Sequence, residues 1–273
     1  MVTESSAHKK VVVFVGSAHK GGATYSAARK LLDDLEAFGD VDGEIVLLGD
    51  YGLGVCRGCK ACFDLGEERC PLKDDRDVLI GKMAAADAVV FASPNYSFQV
   101  SGLMKLFLDR LGFLFHRPRF HGKVATTIVV FGIWGGGKVR KYLEFVSGGL
   151  GFNVVKGTAI RTLEPMSEKA VRDMDRALAE QSRRLHDRLL KPAFPTPSLF
   201  ALVMFRMART SVKRNVPEDR PDHVYYRDRG WFEADYYYPT RLGPLKKAVG
   251  ALLDWAFARM PTFEVADRAQ QAD

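Results

Sequence analysis

All four cysteines of the chain lie within one short run: Cys56, Cys59, Cys62 and Cys70, spaced C-x2-C-x2-C-x7-C. A thiolate is both a nucleophile and a soft metal ligand, and two-residue gaps let the backbone curl until three of them converge. Gly58 permits the tight turn between the first pair, and Cys70-Pro71 repeats the Cys-Pro pairing of bacterial ferredoxin runs. Three chemistries are open to such a run: a [4Fe-4S] cube, a structural zinc, or a metal-free loop with one redox-active thiol. Zinc sites usually pair two C-x2-C knuckles across a longer loop, so the spacing favours the cube. Disulfides belong to secreted chains, which this does not resemble.

The second stretch with chemical content is Gly16-Ser17-Ala18-His19-Lys20-Gly21-Gly22-Ala23-Thr24. It follows the β-branched run Val11–Val15 and precedes an amphipathic helix expected from Tyr25 to Phe38. A strand, a Gly/Ser/Thr loop and a helix make an anion pocket, because loop amides, hydroxyls and the helix dipole face one phosphate. It matches neither G-x-x-x-x-G-K-[ST] nor G-x-G-x-x-G. Taken alone, it is equally an ordinary Gly-rich turn.

The elements that must position these residues follow from periodicity. Continuous apolar runs predict buried parallel strands at 11–15, 44–48, 88–92, 123–131 and 152–160. Helices are expected at 25–38, 75–86, 100–115 and 168–190, with Asp74 and Asp75 capping the second and Lys105 and Asp109 pairing on the surface of the third. The alternation βαβαβαβαβα describes an α/β fold, a doubly wound five-stranded parallel sheet. Ligands of such sheets bind at the carboxyl ends of the strands, near the topological switch point. The loops opening at Gly16, Ser93 and Gly132, and the cysteine segment, all leave strands at that edge.

Composition narrows the function classes. The 273 residues are 47% hydrophobic, enough for one large domain with an extension. The formal charge of +7 is spread out: residues 191–273 carry 13 Lys/Arg and 10 Asp/Glu, net +3, which leaves +4 for residues 1–190. That spread argues against a nucleic-acid face. No signal peptide opens the sequence, and no apolar run reaches the roughly 18 residues of a transmembrane segment. A cytoplasmic location is expected, with weak membrane-surface contact left open.

Together these marks are specific. G-S-x-x-K-x-G-x-T at Gly16–Thr24, C-x-G-C-x-x-C at Cys56–Cys62 and C-P-x-x-D-D at Cys70–Asp75 are joined by S-P-x-Y at Ser93–Tyr96, K-x-x-x-D-R at Lys105–Arg110 and the glycine loop Gly132–Gly137. In them the chain resembles the flavodoxin-like NAD(P)H-dependent FMN reductase superfamily, and within it the iron–sulfur flavoproteins, over residues 10–190. The resemblance implies that Ser17, His19, Lys20, Gly22 and Thr24 surround the FMN phosphate. It places Pro94, Asn95 and Tyr96, with Gly132, Trp134, Gly135 and Gly136, along the isoalloxazine and ribityl. It makes Cys56, Cys59, Cys62 and Cys70 ligands of a [4Fe-4S] cluster. NAD(P)H is then the co-substrate, and a small molecule or protein the electron acceptor. A homodimer or tetramer is expected. A non-enzymatic redox carrier or sensor, a plain FMN or quinone reductase without a cluster, and a zinc-stabilised flavin-free binding module are the rival readings.

The domains expected are 1–190, flavodoxin-like with the cysteine motif inserted at 56–75, and 191–273, a lid or oligomerisation arm. Pro192, Pro195 and Pro197 mark the boundary. Beyond it come an apolar helix at 198–214, an aromatic, charged stretch from Tyr225 to Tyr238, and a helix at 244–260. That last helix carries Leu245, Val249, Leu252, Leu253, Ala256, Phe257 and Met260 on one side, which is expected to be buried in the assembly.

Overall fold

The computed structural model describes residues 8–163, 165–259 and 261. They divide into two compact units, Met1–Arg57 with Leu72–Ala193, and Gly58–Pro71 with Phe194–Asp273. The division falls inside the cysteine run: Cys56 belongs to the first unit, and Cys59, Cys62 and Cys70 to the second.

In the first unit the strands are β1 (Lys9–Val15), β2 (Val41–Leu47), β3 (Ala88–Tyr96), β4 (Gln99–Val100), β5 (Val124–Phe131), β6 (Asn153–Val154) and β7 (Thr158–Arg161). They form one sheet in the order β2-β1-β3-β5-β6, with β7 also on β5 and β4 folded back antiparallel on β3. The central pairs are parallel, with Val11 beside Ala88 and Ala88 beside Val124. The order reverses direction at β1, which opens the ligand crevice between the carboxyl ends of β1 and β3.

Every residue from Val11 to Val15 is fully buried, which is why that run is β-branched without alternation. On one face Val11, Val13, Val15, Val90 and Ile128 pack against Leu31, Leu32 and Leu35 of helix α1 (Ala23–Glu36) and against Leu178 and Leu185. On the other, the ring of Phe14 stacks with those of Phe91 and Phe107, which are tilted against each other.

The remaining helices correct several sequence expectations. A four-residue helix, α2 (Ala61–Asp64), lies in the cysteine run, and α3 (Arg76–Ala85) follows it. Asp75 is the N-cap residue of α3 without a side-chain bond to the helix, Asp74 bonds the first N–H of α3, and both also hold the loop before the cysteines. Asp75 accepts the Gly52 N–H at 2.8 Å, and Asp74 accepts those of Gly54 at 2.9 Å and Arg76 at 3.2 Å. Helix α4 (Gly102–Arg110) stops short of residue 115 and gives way to a 3-10 turn over Gly112–Phe115. Its Lys105 and Asp109 pair as expected.

Helix α5 (Gly136–Gly149) begins inside the glycine loop, and α6 (Glu168–Leu189) carries Leu178 and Leu185. The expected single strand at 152–160 is broken into β6 and β7. Its residues leave the ladder there, the Gly157 N–H turning to Glu144 at 2.8 Å. The Gln181 amide of α6 donates to the Thr127 carbonyl at 3.0 Å and to the Thr126 hydroxyl at 2.9 Å, so these buried oxygens are satisfied without a strand.

The second unit contains α2 with α7 (Leu199–Asn215), α8 (Pro221–Asp228) and α9 (Pro244–Phe257). Leu202, Phe205, Val212, Tyr226, Trp231, Tyr236 and Leu242 form its core. Burial pushes the Tyr237 phenol up to about 12 and raises those of Tyr226 and Tyr236, so these rings stay neutral. The aromatic, charged stretch from Tyr225 begins inside α8, which has Pro221 at its first helical position. Arg220 donates to the Asp64 carbonyl at 3.2 Å, which ties the cysteine-bearing segment to α8. Met260 lies outside the described residues. Among the described residues no helix is long and apolar enough to cross a membrane.

Candidate functional site

Three loops gather at the carboxyl ends of β1, β3 and β5. The first is Gly16–Thr24, and its last two residues, Ala23 and Thr24, are already the first turn of α1. Gly22 caps that helix with no side-chain bond, and the first turn carries no acid. The opening N–H groups and the positive end of the dipole are thus left for an anion. Ser17 and Thr24 are buried beside them, and Ser17 Oγ accepts the His19 N–H at 3.3 Å. His19 is exposed and packs its ring under Gly22, while Lys20 reaches Asp50 at 2.7 Å. The loop sits tightly on α4: a Cβ on Gly16 would stand 2.7 Å from that of Met104. The Ser101 hydroxyl donates to the Gly16 carbonyl and accepts the Met104 N–H at 3.2 Å, capping α4.

The second loop was expected to open at Ser93, but β3 continues through Pro94 and Asn95 to Tyr96 and folds back into β4. The turn residues Ser97 and Phe98 both have positive φ, 49° and 63°, the arrangement of a tight hairpin turn that usually needs Asn or Gly. Non-glycine residues in that region store strain, of order 1–3 kcal/mol each. Nothing in the sequence marks this turn, so Phe98 was missed as a site residue.

The third loop is Gly132–Gly136. Asn95 bridges to it, its Nδ2 donating to the Trp134 carbonyl at 2.9 Å, and Phe98 meets the Trp134 ring edge-on at 6.2 Å. Gly135 has φ +91°, and a Cβ there would lie 2.8 Å from the Phe98 ring and 2.9 Å from Asn95 Nδ2. Gly136 is buried against Phe131. Arg161 Nε donates to the Gly132 carbonyl at 3.2 Å and steadies the start of the loop.

The surface between these loops is unusual in two respects. Tyr96, Phe98, Ile133 and Trp134 are each more than half exposed, so apolar surface is concentrated on two bridged loops. Asn95 Oδ1 is buried and has no hydrogen-bond partner among the described residues. A buried acceptor left unpaired costs about 1–3 kcal/mol, which a donor from water or from a ligand would relieve. An anion pocket at one end, an apolar slot and an unpaired acceptor at the other fit a flavin mononucleotide.

A model of the NADPH-dependent FMN reductase family matches residues 9–162. The chain belongs to that family. An iron-sulfur flavoprotein of Archaeoglobus fulgidus is 36% identical over 122 residues, 45% of this chain and 54% of that one. An iron-sulfur flavoprotein of Methanocaldococcus jannaschii is 35% identical over 101 residues, 37% of this chain and 51% of its own. The chain thus spans about half the length of these curated relatives. An azoreductase from Bacillus anthracis superposes with a TM-score of 0.50 at 16% identity, covering 66% of this chain and 99% of that one. It shows the flavodoxin-like fold of this FMN reductase family member.

Cys56 and Cys59 are exposed, Cys62 half-buried and Cys70 buried. Among the described residues no three His, Cys, Asp or Glu side chains are gathered as a metal site. What is well built is the base of the loop in the first unit. Arg110 donates to both oxygens of Asp74, at 2.9 and 3.1 Å, and both side chains are almost fully buried. Burial alone would raise the Asp74 carboxyl. The bonds from Arg110, Gly54 and Arg76, with the Arg110 charge, outweigh it and hold the group below its ordinary 3.8. The D-D and D-R motifs, 36 residues apart, thus meet in one clasp.

Proposed function

We propose that this chain is an FMN-dependent oxidoreductase that takes electrons from NAD(P)H and passes them to a small-molecule or protein acceptor. The observation that carries the reading is the pairing of an uncapped, acid-free α1 start with the unpaired Asn95 Oδ1 in an apolar slot. FMN, when bound, would supply the redox chemistry, accepting a hydride and releasing its electrons onward. The chain's own residues bind and orient it. Ser17, Thr24 and the loop amides would hold the phosphate, with Lys20, His19 and Gly22 around it. Asn95 would accept from the ring system, and Pro94, Tyr96, Phe98 and the Gly132–Gly136 segment with Trp134 would line its edge and exclude water. The test is anaerobic mixing of FMN-loaded protein with NADPH or NADH. Loss of the oxidised-flavin absorbance, restored by an added quinone, is the expected result. Flavin that neither coenzyme bleaches would leave a carrier or sensor instead.

The cysteine spacing and the similarity to iron-sulfur flavoproteins support a second element, a [4Fe-4S] cluster on Cys56, Cys59, Cys62 and Cys70. No step of the flavin chemistry is routed through it. A homodimer or tetramer remains part of the proposal, and sedimentation velocity measures it.

A further inference from the structure

Helices α7 and α9 both carry apolar side chains on the side turned to solvent. On α9 the inward side holds the small Gly250 and the acid Asp254, which both Arg206 and Arg209 of α7 bridge. The outward side holds Leu245, Ala248, Leu252 and Trp255, at spacings of three, four and three; Leu245 is 78% exposed, Leu252 62% and Trp255 56%. On α7 the inward side is Leu202, Phe205, Arg206, Arg209 and Val212, whereas Phe200, Met204 and Met207 face outward, Phe200 being 64% exposed. Both helices thus keep an apolar stripe toward solvent while Arg206 and Arg209 turn inward to Asp254. Of the α9 side expected to be buried in the assembly, Val249, Leu253, Ala256 and Phe257 are half-buried within the chain and Leu245 and Leu252 are exposed.

Charge decides what such a face would meet. Residues 199–215 contain no acid, and the one acid of residues 241–259 is the inward Asp254. Around the α9 stripe the exposed charges are Arg241, Lys247 and Arg259; along α7 they are Arg214 and Lys213, the latter paired with the exposed Glu233 at 2.7 Å, and the exposed Asp235 pairs with Arg206. The guanidinium of Arg259 lies 4.0 Å from the centroid of the Trp255 ring, one turn along the stripe. A second copy would bring this cationic face against itself under two-fold symmetry, and like charges would meet. Exposed Leu and Trp on α9, where Lys and Arg are the only exposed charges of residues 241–259, instead match the acyl boundary and headgroups of an anionic membrane.

We propose that the outward faces of α7 and α9 seat this protein on an anionic lipid bilayer surface, without spanning it. Full-length, FMN-loaded protein should co-sediment with vesicles of phosphatidylcholine and phosphatidylglycerol, and far less with phosphatidylcholine alone. Raised salt should weaken the binding, because screening acts on exposed charges. The double variant Leu252→Glu/Trp255→Glu should lose at least tenfold in bound fraction while keeping its circular dichroism and FMN content. Should that variant misfold, Lys247→Glu/Arg259→Glu leaves the stripe intact and should show the same loss on anionic vesicles. Wild-type protein that stays in the supernatant of anionic vesicles overturns the proposal. So does either well-folded variant that binds as wild type, or a wild type that ignores vesicles but forms a dimer dissolved by Leu252→Glu/Trp255→Glu.

Discussion

Substituting Gly135 by Ala probes the candidate flavin site at its tightest point. The residue sits at φ +91°, where a Cβ adds about 1–2 kcal/mol of backbone strain. The added carbon would stand 2.8 Å from the Phe98 ring and 2.9 Å from Asn95 Nδ2, so the Asn95 amide must turn away. Its bond to the Trp134 carbonyl, 2.9 Å in the native loop, is then lost, for about another 1 kcal/mol. The sum is about 2–3 kcal/mol, and it falls on loops at the rim rather than on the sheet. Without ligand these loops can relax, so global stability should change little. Flavin binding has to restore the native arrangement, and FMN affinity should drop roughly 30- to 150-fold. Fluorescence titration of apoprotein with FMN measures this, alongside a thermal melt. Gly137→Ala is the matched control: nothing lies within 4 Å of its Cβ, and in the first turn of α5 it should leave affinity unchanged. A Gly135→Ala protein that binds FMN within threefold of wild type would refute the reasoning about this loop.

Other expectations follow from the same structure. Ser17→Ala/Thr24→Ala removes two hydroxyls beside the open start of α1 and should weaken FMN at least tenfold in the same titration, since each charge-assisted bond contributes roughly 1.5–3 kcal/mol. Asp74→Asn breaks the nearly buried pair with Arg110 and should destabilise the protein by about 3 kcal/mol in denaturant unfolding at neutral pH. Because the folded Asp74 lies below 3.8, its stabilisation is fully present above that value and is lost as pH falls through the depressed value. The gap between variant and wild type should therefore narrow only in strong acid. If the cysteines hold a cluster, anaerobically purified protein should contain about four irons and four sulfides per chain, and Cys59→Ser should remove most of the iron while FMN stays. Iron-free protein from iron- and sulfide-supplied anaerobic growth would sink that role.

The sheet was legible in the sequence because burial on both faces leaves a mark no other element leaves. Val11–Val15 reads as unbroken β-branched residues for the same reason that it is wholly buried between α1 and Phe107. The anion loop was legible too, since glycines and hydroxyls between a strand and a helix are local facts. Local rules read only part of Asp74 and Asp75: they do stand at the start of α3, with Asp74 on its first N–H, yet Arg110, 36 residues away, and the Gly52 and Gly54 amides claim them as well. The hairpin at Ser97-Phe98 was invisible because its positive φ values are imposed by its tertiary setting, against the preference of both residues. The break between β6 and β7 depends on a Gln181 that only folding brings beneath Thr127. The same holds for α9. Periodicity announced an amphipathic helix, and which side faces inward is decided by Arg206 and Arg209, whose guanidinium groups reach Asp254 through packing that no spacing encodes. Residue types and their periods determined which segments fold and which can bind. The partners that distant segments bring to each other decided where the carboxylates, the strained turn and the apolar faces came to lie.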